Sequence, residues 1–424
     1  MRRWRAGTVW LALGAADGFL NRLLGTVFNV FLILRVGLDP LQLVLMGTVL
    51  EVSYLLFEVP TGVLADVRSR KASIVVGYLG TGLAFLVLGA AESFAVAALS
   101  QVLYGISATF VSGADVAWLT DEIGEEAARP MYLRGERSYN LGSLVGMVGS
   151  VALASVALPL PIVATGLGYL GLGLALTLVM VETPRPSRGR GSTLRASVAT
   201  TVREAIRQVR AHHVLLLILA TAALHGASTE GWDRLADLHF LRGIGLPSLY
   251  DLDRVVWFAV FDGVSLLLGL GAITFIERRV HLEGHTRVAT LLAGIDGLMI
   301  AGTIAFAVVG SFWGAVVAFW IVGGLRSVRD PIFTAWNNQG LDPATRATVN
   351  SIGGQSDAVG QALAGPVVGG VGRTVSVPWA ISVAGLLRVP ALLLYVRAVR
   401  RGSVGTKPPE AIEQELTLDE GEGA

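Results

Sequence analysis

The sequence predicts an all-α membrane protein: twelve transmembrane helices in two pseudo-symmetric six-helix bundles, with both termini cytoplasmic. Three observations carry this. The chain is 53% hydrophobic and only 15% charged, with a mean hydropathy of +0.63, whereas soluble domains carry roughly 25% charged residues. Twelve apolar stretches are long enough to cross hydrocarbon. Two charged motifs, one in the first stretch and one in the seventh, read as copies of each other.

Composition also excludes. A net charge of +1 argues against a nucleic-acid partner. With no cysteine there is neither a disulfide nor a thiolate metal site. Only Lys71 and Lys407 are lysines and the other basic residues are arginines, a bias that fits GC-rich bacterial coding. No G-x-x-x-x-G-K-[ST] loop appears, which argues against an ATP-driven pump, and no H-E-x-x-H, which argues against a metalloenzyme. The chain reads as a non-enzyme without a cofactor.

A helix needs about 20 mostly apolar residues to span a bilayer, and any span must be helical because lipid offers no partner for free backbone groups. The candidate spans are 8–34, 40–65, 72–91, 94–119, 138–158, 160–181, 213–240, 254–276, 288–309, 311–335, 347–370 and 375–396. Met1–Arg5 before the first imitates a secretory signal, and Leu13–Ala16 its cleavage site. Apolar sequence resumes after Arg22 and continues to Leu34, so the segment reads as an uncleaved first span. With the N-terminus inside, cytoplasmic segments hold 26 Arg and Lys and the outside holds 4. That asymmetry sets both termini in the cytoplasm and an even span count.

The duplication is local and specific. ADGFLNRLLGTVF (16–28) and TEGWDRLADLHF (229–240) both read acid, Gly, aromatic, then Asn or Asp before Arg-Leu, with a Phe six residues after the Arg; Arg22 and Arg234 are 212 apart. Ala117-Trp118 and Ala335-Trp336 close the fourth and tenth spans at an offset of 218. The domains expected are therefore 1–182, a cytoplasmic linker 183–212, 213–400, and a disordered tail 401–424. Parallel six-helix repeats are one known transporter design. Within the linker, Leu194, Val198, Val202, Ile206 and Val209 share one face and arginines fill the others. Such a helix suits anionic lipid headgroups around 185–210, or serves as a solvated connector.

Between the second and third spans lies GVLADVRSRK (62–71). It resembles the signature of the major facilitator superfamily: Gly62, Asp66, Arg70 and Lys71 fit, and Val67 and Ser69 depart from it. The span number and long central loop are also similar to that superfamily. SGADVAWLTDEIG (112–124) and TEGWDRL (229–235) resemble its twelve-span drug/proton antiporter branch, of the macrolide or tetracycline efflux type. The resemblance implies the major facilitator fold and a cytoplasmic gate at Gly62, Asp66, Arg70 and Lys71. There Asp66 would face the start of the eleventh helix, whose free N–H groups favour an anion, while Gly62 permits close helix approach. It also implies that spans one, four, seven and ten line the cavity and that three and six face lipid. Asp296 in the ninth span and Arg388 in the twelfth do not fit that division. Gln101 stands where the antiporters usually carry an Arg, so coupling must run elsewhere or use Arg22. The fifth span has Gly142, Gly146 and Gly149 but lacks the antiporters' Pro.

Charged groups inside lipid are costly and usually functional. Asp17 and Asn21 share a face of the first span, about 14–20 Å from the inner boundary at about 1.5 Å per residue. Asp17 is the first choice for a protonatable carrier, or else an ion-pair partner of Arg22. Glu51 and Glu58 lie seven apart with Tyr54 between them, as a proton relay or as hydrogen-bonding groups. In the seventh span Glu230 and Arg234 are spaced for an intrahelical pair beside Asp233. Gly231 invites unwinding, and Trp232 is a ligand platform or an interfacial anchor. His225 lies at mid-membrane depth, as a packed residue or a relay. Asp115 suits a gating contact. Asp262, Asp296 and Asp357 are further intramembrane acids.

The expected function is export of a small amphipathic compound in exchange for protons, by alternating access in a bacterial cytoplasmic membrane, by a monomer. The alternatives are proton-coupled uptake of a metabolite and a non-transporting sensor.

Overall fold

The computed structural model describes residues 2–183, 213–247, 254–279, 285–337 and 343–400. The described residues form helices joined by short turns. The first half holds α1 (Arg2–Gly25, continued by Phe28–Phe31 and a π-helical turn Leu32–Val36), α2 (Pro40–Val67), α3 (Arg70–Gly89), α4 (Phe94–Val111 and Ala114–Ile123), α5 (Glu125–Ala154) and α6 (Leu160–Val179). The second half holds α7 (His213–Leu238 and a π-helical turn His239–Ile244), α8 (Arg254–Arg279), α9 (His285–Val308), α10 (Phe312–Asn337), α11 (Pro343–Thr374) and α12 (Val377–Leu386 and Val389–Arg400). The amphipathic linker and the tail expected from sequence lie outside the described residues.

Local chemistry sets several boundaries. Asp39 and Gln42 form a reciprocal capping box around Pro40, starting α2. Ser69 caps α3 by accepting from the Ala72 amide. Gly37 at φ 78° ends α1, and Gly113 at φ 70° breaks α4, both in the left-handed region that glycine enters without steric cost. Eight helices among the described residues are long and apolar enough to cross a membrane: α1–α4, α6, α8, α9 and α12. The others, α5, α7, α10 and α11, carry acids and arginines that lower their mean hydropathy. α5 begins well before the expected residue 138, because Glu125–Arg137 is polar but helix-favouring and continues the helix beyond its apolar part.

Each half closes around a backbone-to-backbone seam. A Cβ on Gly18 of α1 would sit 2.0 Å from the Tyr139 carbonyl oxygen, and one on Gly142 of α5 2.0 Å from that of Ala15. In the second half, a Cβ on Gly226 of α7 would sit 2.0 Å from the Asp357 carbonyl oxygen, and one on Gly360 of α11 1.8 Å from that of Ala223. Thus α1–α5 and α7–α11 are matched pairs that need small residues to approach. Gly62, expected to serve such an approach, has nothing within 4 Å of its Cβ position; it lies on an open stretch of α2.

The two halves meet mainly at the end opposite the N-terminus. Gly365 and Gly369 of α11 pack on Thr48 and Leu41 of α2. Gly263 of α8 faces Met147 of α5. Arg242 donates to the Ile33 carbonyl at 3.1 Å, and Arg373 lies 3.7 Å from Asp39.

Candidate functional site

The first-span motif divides between two environments. Arg22 crosses to the second half and pairs with Asp262 of α8 at 3.0 Å, with about a third of each side chain exposed (32% and 31%). It therefore does not pair with Asp17. One turn earlier, Asp17 turns into the first half and accepts from the Tyr169 hydroxyl of α6 at 2.9 Å. Tyr169 stacks on Tyr78 of α3, centroids 5.8 Å apart. Asn21 is exposed, so Asp17 and Asn21 do not build one site. α3 and α6, expected to face lipid, each send a tyrosine inward.

Beside Asp17 lies a cavity of about 210 Å³. Asp115 and Glu136 line it together with Trp10, Tyr78 and Tyr139, and among the described residues its lining contains no basic one. Asp115 is delivered there by the break at Gly113, its carboxylate accepting from the Val116 amide at 2.7 Å. It thus shares a cavity with Asp17 in addition to lying near the break.

The seventh-span motif makes the other wall. Glu230 is 1% exposed and pairs with Arg234 at 3.3 Å. Its carboxylate is seated where a Cβ on Gly47 of α2 would stand, 1.7 Å away, so α2 needs glycine there. Arg234 lies over the Phe28 ring at 5.7 Å. Asp233 pairs with Arg326 of α10, and its carbonyl accepts from Asn29 at 2.9 Å. The same Asn29 amide donates to Asp237 at 2.9 Å.

Two expectations in α7 fail. Gly231 does not unwind the helix, which runs unbroken from His213 to Leu238; the residue instead lets Ala384 and Val368 approach. Trp232 is a core residue and not an interfacial anchor. It is 7% exposed and stacks on Phe319 at 5.4 Å, beside Phe306. The aromatic payload of the second half draws it inward.

In α2, Glu51 is half-buried and within electrostatic reach of Arg234 and Asp357 across the cleft. Glu58 accepts from Ser112 at 3.0 Å, and its other oxygen is buried without a hydrogen-bond partner among the described residues. Tyr54 stands between the two acids, within electrostatic reach of both and within hydrogen-bonding reach of Glu58.

The signature residues form a cluster within the first half. Arg70 bonds Asp66 at 3.2 Å and Asp121 at 2.7 Å, and donates to the Ala117 carbonyl at 2.6 Å. Lys71 donates to the Thr177 and Met180 carbonyls, each at 2.8 Å. Asp66 is 67% exposed. Glu182, not anticipated, accepts from the Arg70 amide at 2.8 Å and binds Ser69.

Sequence reasoning missed a buried charge cluster in the second half. Asp296 of α9 is fully buried and receives Arg329 of α10 at 2.9 Å and Arg388 of α12 at 3.0 Å. Arg388 also donates to Ser228 at 2.8 Å, and Arg329 reaches Asp330 at 3.3 Å. His225 lies 3.6 Å from Asp330. Arg326 and Arg329 both lie inside α10, and Arg329 is 1% exposed. Their place within the span 311–335, beside Asp296 and Arg388 in other spans, was the available signal.

Two repeated helical halves, a charged cleft between them, and buried ion pairs among apolar helices define a membrane transport protein. The profile of the Major Facilitator Superfamily matches residues 11–295, and the chain belongs to that superfamily of multi-pass membrane transporters. Such transporters bind small-molecule substrates, often with ion coupling. The chain is 21% identical over 366 residues to the uncharacterized MFS-type transporter YxaM of Bacillus subtilis (strain 168), covering 85% of this chain and 88% of that one. Among solved structures it is similar to the nucleoside transporter NupG (11% identity, TM-score 0.69, 92% and 98% covered). It is also similar to an inward-facing bacterial homologue of the human lysosomal transporter Spinster (17%, TM-score 0.68, 94% and 97%). A POT family transporter bound to 5-aminolevulinic acid has the same fold (12%, TM-score 0.71, 94% and 96%).

Proposed function

We propose that this chain is a proton-coupled secondary transporter of a bacterial cytoplasmic membrane, with twelve spans and both termini inside. It exports a small amphipathic compound bearing a polar or charged group, in exchange for protons. The observation that carries this reading is the contrast between Arg22 and Asp17. Arg22 joins the halves through Asp262 at 3.0 Å, a contact that opening of that end must break. Asp17, five residues earlier, faces a cavity with no basic lining among the described residues and accepts from the Tyr169 hydroxyl.

A carboxylate in low dielectric without a cation is costly to keep charged, so taking up a proton relieves it. The ion pairs Arg22–Asp262, Glu230–Arg234 and Asp233–Arg326 stand about the cleft, which favours a substrate with polar groups of its own. Polar contacts joining the halves gather at the end opposite the N-terminus, while Asp66 is exposed at the other. With the N-terminus inside, this is an inward-open state, and the Asp66–Arg70 cluster is the latch that re-forms against α11 when the inside closes.

The test is accumulation of a panel of lipophilic and zwitterionic compounds in cells and in proteoliposomes, with and without a protonophore, comparing wild type with Asp17→Asn. Export predicts lower accumulation on expression, reversed by the protonophore and by Asp17→Asn. Higher accumulation driven by an inward proton gradient would instead establish the uptake symporter. Absence of flux for every compound, with protein correctly inserted, would favour the sensor.

A further inference from the structure

On the lipid side of the second half, α8 and α9 both pack on α10 and stand apart from each other. The matched first-half helices, α2 and α3, touch directly as well as through α4. The separation leaves an apolar groove of about 830 Å³, walled by Leu267, Phe275, Leu291 and Trp320 and floored at Gly324 of α10. Leu267 and Phe275 are 67% and 63% exposed, so the groove is open to the bilayer along its length.

Its end nearer the N-terminal side is basic. Arg278 follows Phe275 by three residues and Arg287 precedes Leu291 by four, which sets both on the groove-facing sides of their helices. Both are exposed. From Leu267 to Arg278 the helix covers about 16 Å at about 1.5 Å per residue. Half of a hydrocarbon core about 30 Å thick is about 15 Å. The groove therefore has the depth of one leaflet, with positive charge where that leaflet's phosphates lie and apolar walls where its chains lie.

We propose that this cleft is a binding site for one anionic phospholipid of the leaflet on the N-terminal side, its phosphate held between Arg278 and Arg287 and one acyl chain lying along α8, α9 and α10 against Trp320. The site is separate from the central cleft and does not depend on which compound is transported. A lipid seated there wedges α8 from α9, and α8 carries Asp262, the partner of Arg22 across the halves. Lipid occupancy is thereby linked to the strength of the contact that holds the opposite end closed.

The experiment uses the full chain, delipidated in detergent and then exposed to phosphatidylglycerol or phosphatidylcholine, with retained lipid read by native mass spectrometry. Wild type is expected to keep one phosphatidylglycerol in preference to phosphatidylcholine. An arginine at an anionic surface contributes about fivefold, so the Arg278→Gln/Arg287→Gln double variant should bind about 30-fold more weakly. Arg134→Gln, an exposed arginine on α5, should bind as wild type does. Leu291→Trp, which fills the groove without changing charge, should also lose the lipid. A phosphatidylglycerol brominated along its chain should quench wild-type fluorescence more than that of Trp320→Phe. Equal retention of both lipids, undiminished binding in the double variant and in Leu291→Trp, or identical quenching in Trp320→Phe would each overturn the proposal. Folding of each variant is checked independently by its elution as a single species.

Discussion

Tyr169 on α6 and Arg388 on α12 lie 219 residues apart, and Tyr78 on α3 and Asp296 on α9 lie 218 apart. Both offsets lie close to that of the internal repeat, and Tyr169 and Arg388 each reach the first helix of their own half, at Asp17 and at Ser228, two residues before Glu230, the motif counterpart of Asp17. In the first half Tyr169 donates to Asp17 at 2.9 Å. In the second, Arg388 donates to Ser228 at 2.8 Å and to Asp296 at 3.0 Å, and Arg329 adds a second guanidinium. A comparable position is thus built once from a carboxyl and a neutral hydroxyl beside a cavity, and once from paired charges in a packed interior. On the function proposed above, the first arrangement is the working carboxyl site and the second the structural anchor.

That contrast can be broken at several places. The largest effect is expected from Asp296→Asn, which leaves the buried Arg388 guanidinium without its carboxylate and Arg329 with only the more exposed Asp330. Removing one partner of a buried ion pair costs about 3–5 kcal/mol, read as loss of folded protein on heating in detergent; near wild-type stability would erase the distinction between the halves. Next come the glycine seams, where the halves should behave alike. Gly18→Val and Gly226→Val each force a methyl group into a backbone carbonyl, and each should cost about 1–3 kcal/mol or more, measured in the same assay. A large loss in one and none in the other would show that the seams are not equivalent.

Smaller effects should come from the contacts between halves. Arg22→Gln removes a pair that is about a third exposed, worth about 0.2–1 kcal/mol after solvent screening. It should leave unfolding nearly unchanged and increase labelling of a cysteine placed at Thr48, because the closed end opens more often. Unaltered labelling would remove Arg22–Asp262 from the gate. Asp66→Asn should reduce transport without lowering the amount of inserted protein, since Asp66 is 67% exposed in this state and contributes only when the other end closes. Normal transport at normal protein level would dispose of the latch.

Much of this was legible in the chain because lipid imposes simple rules. Apolar length marked the helices, and the cost of charge in hydrocarbon singled out Asp17, Arg22, Glu230 and Arg234. The spacing of Glu230 and Arg234 gave their pairing. Partners hundreds of residues away were not legible: nothing local in Arg22 points to Asp262, or in Asp17 to Tyr169. Trp232 was misread because an aromatic beside charges fits an interface as well as a core, and only the packing of Phe306 and Phe319 decides between them. Gly231 was misread for a similar reason, since glycine serves both unwinding and close approach. The burial of Arg329 was not legible either, because its partner Asp296 stands on another helix.

The claim at the centre is that Asp17 exchanges a proton and Asp296 does not. Infrared difference spectroscopy of the purified protein across the neutral pH range reads protonated carboxyl groups directly and needs no substrate. The account predicts a titrating carboxyl band in wild type, a component of which disappears in Asp17→Asn and persists in any Asp296→Asn protein that folds. A spectrum unchanged by Asp17→Asn, or a component lost in Asp296→Asn instead, would contradict it.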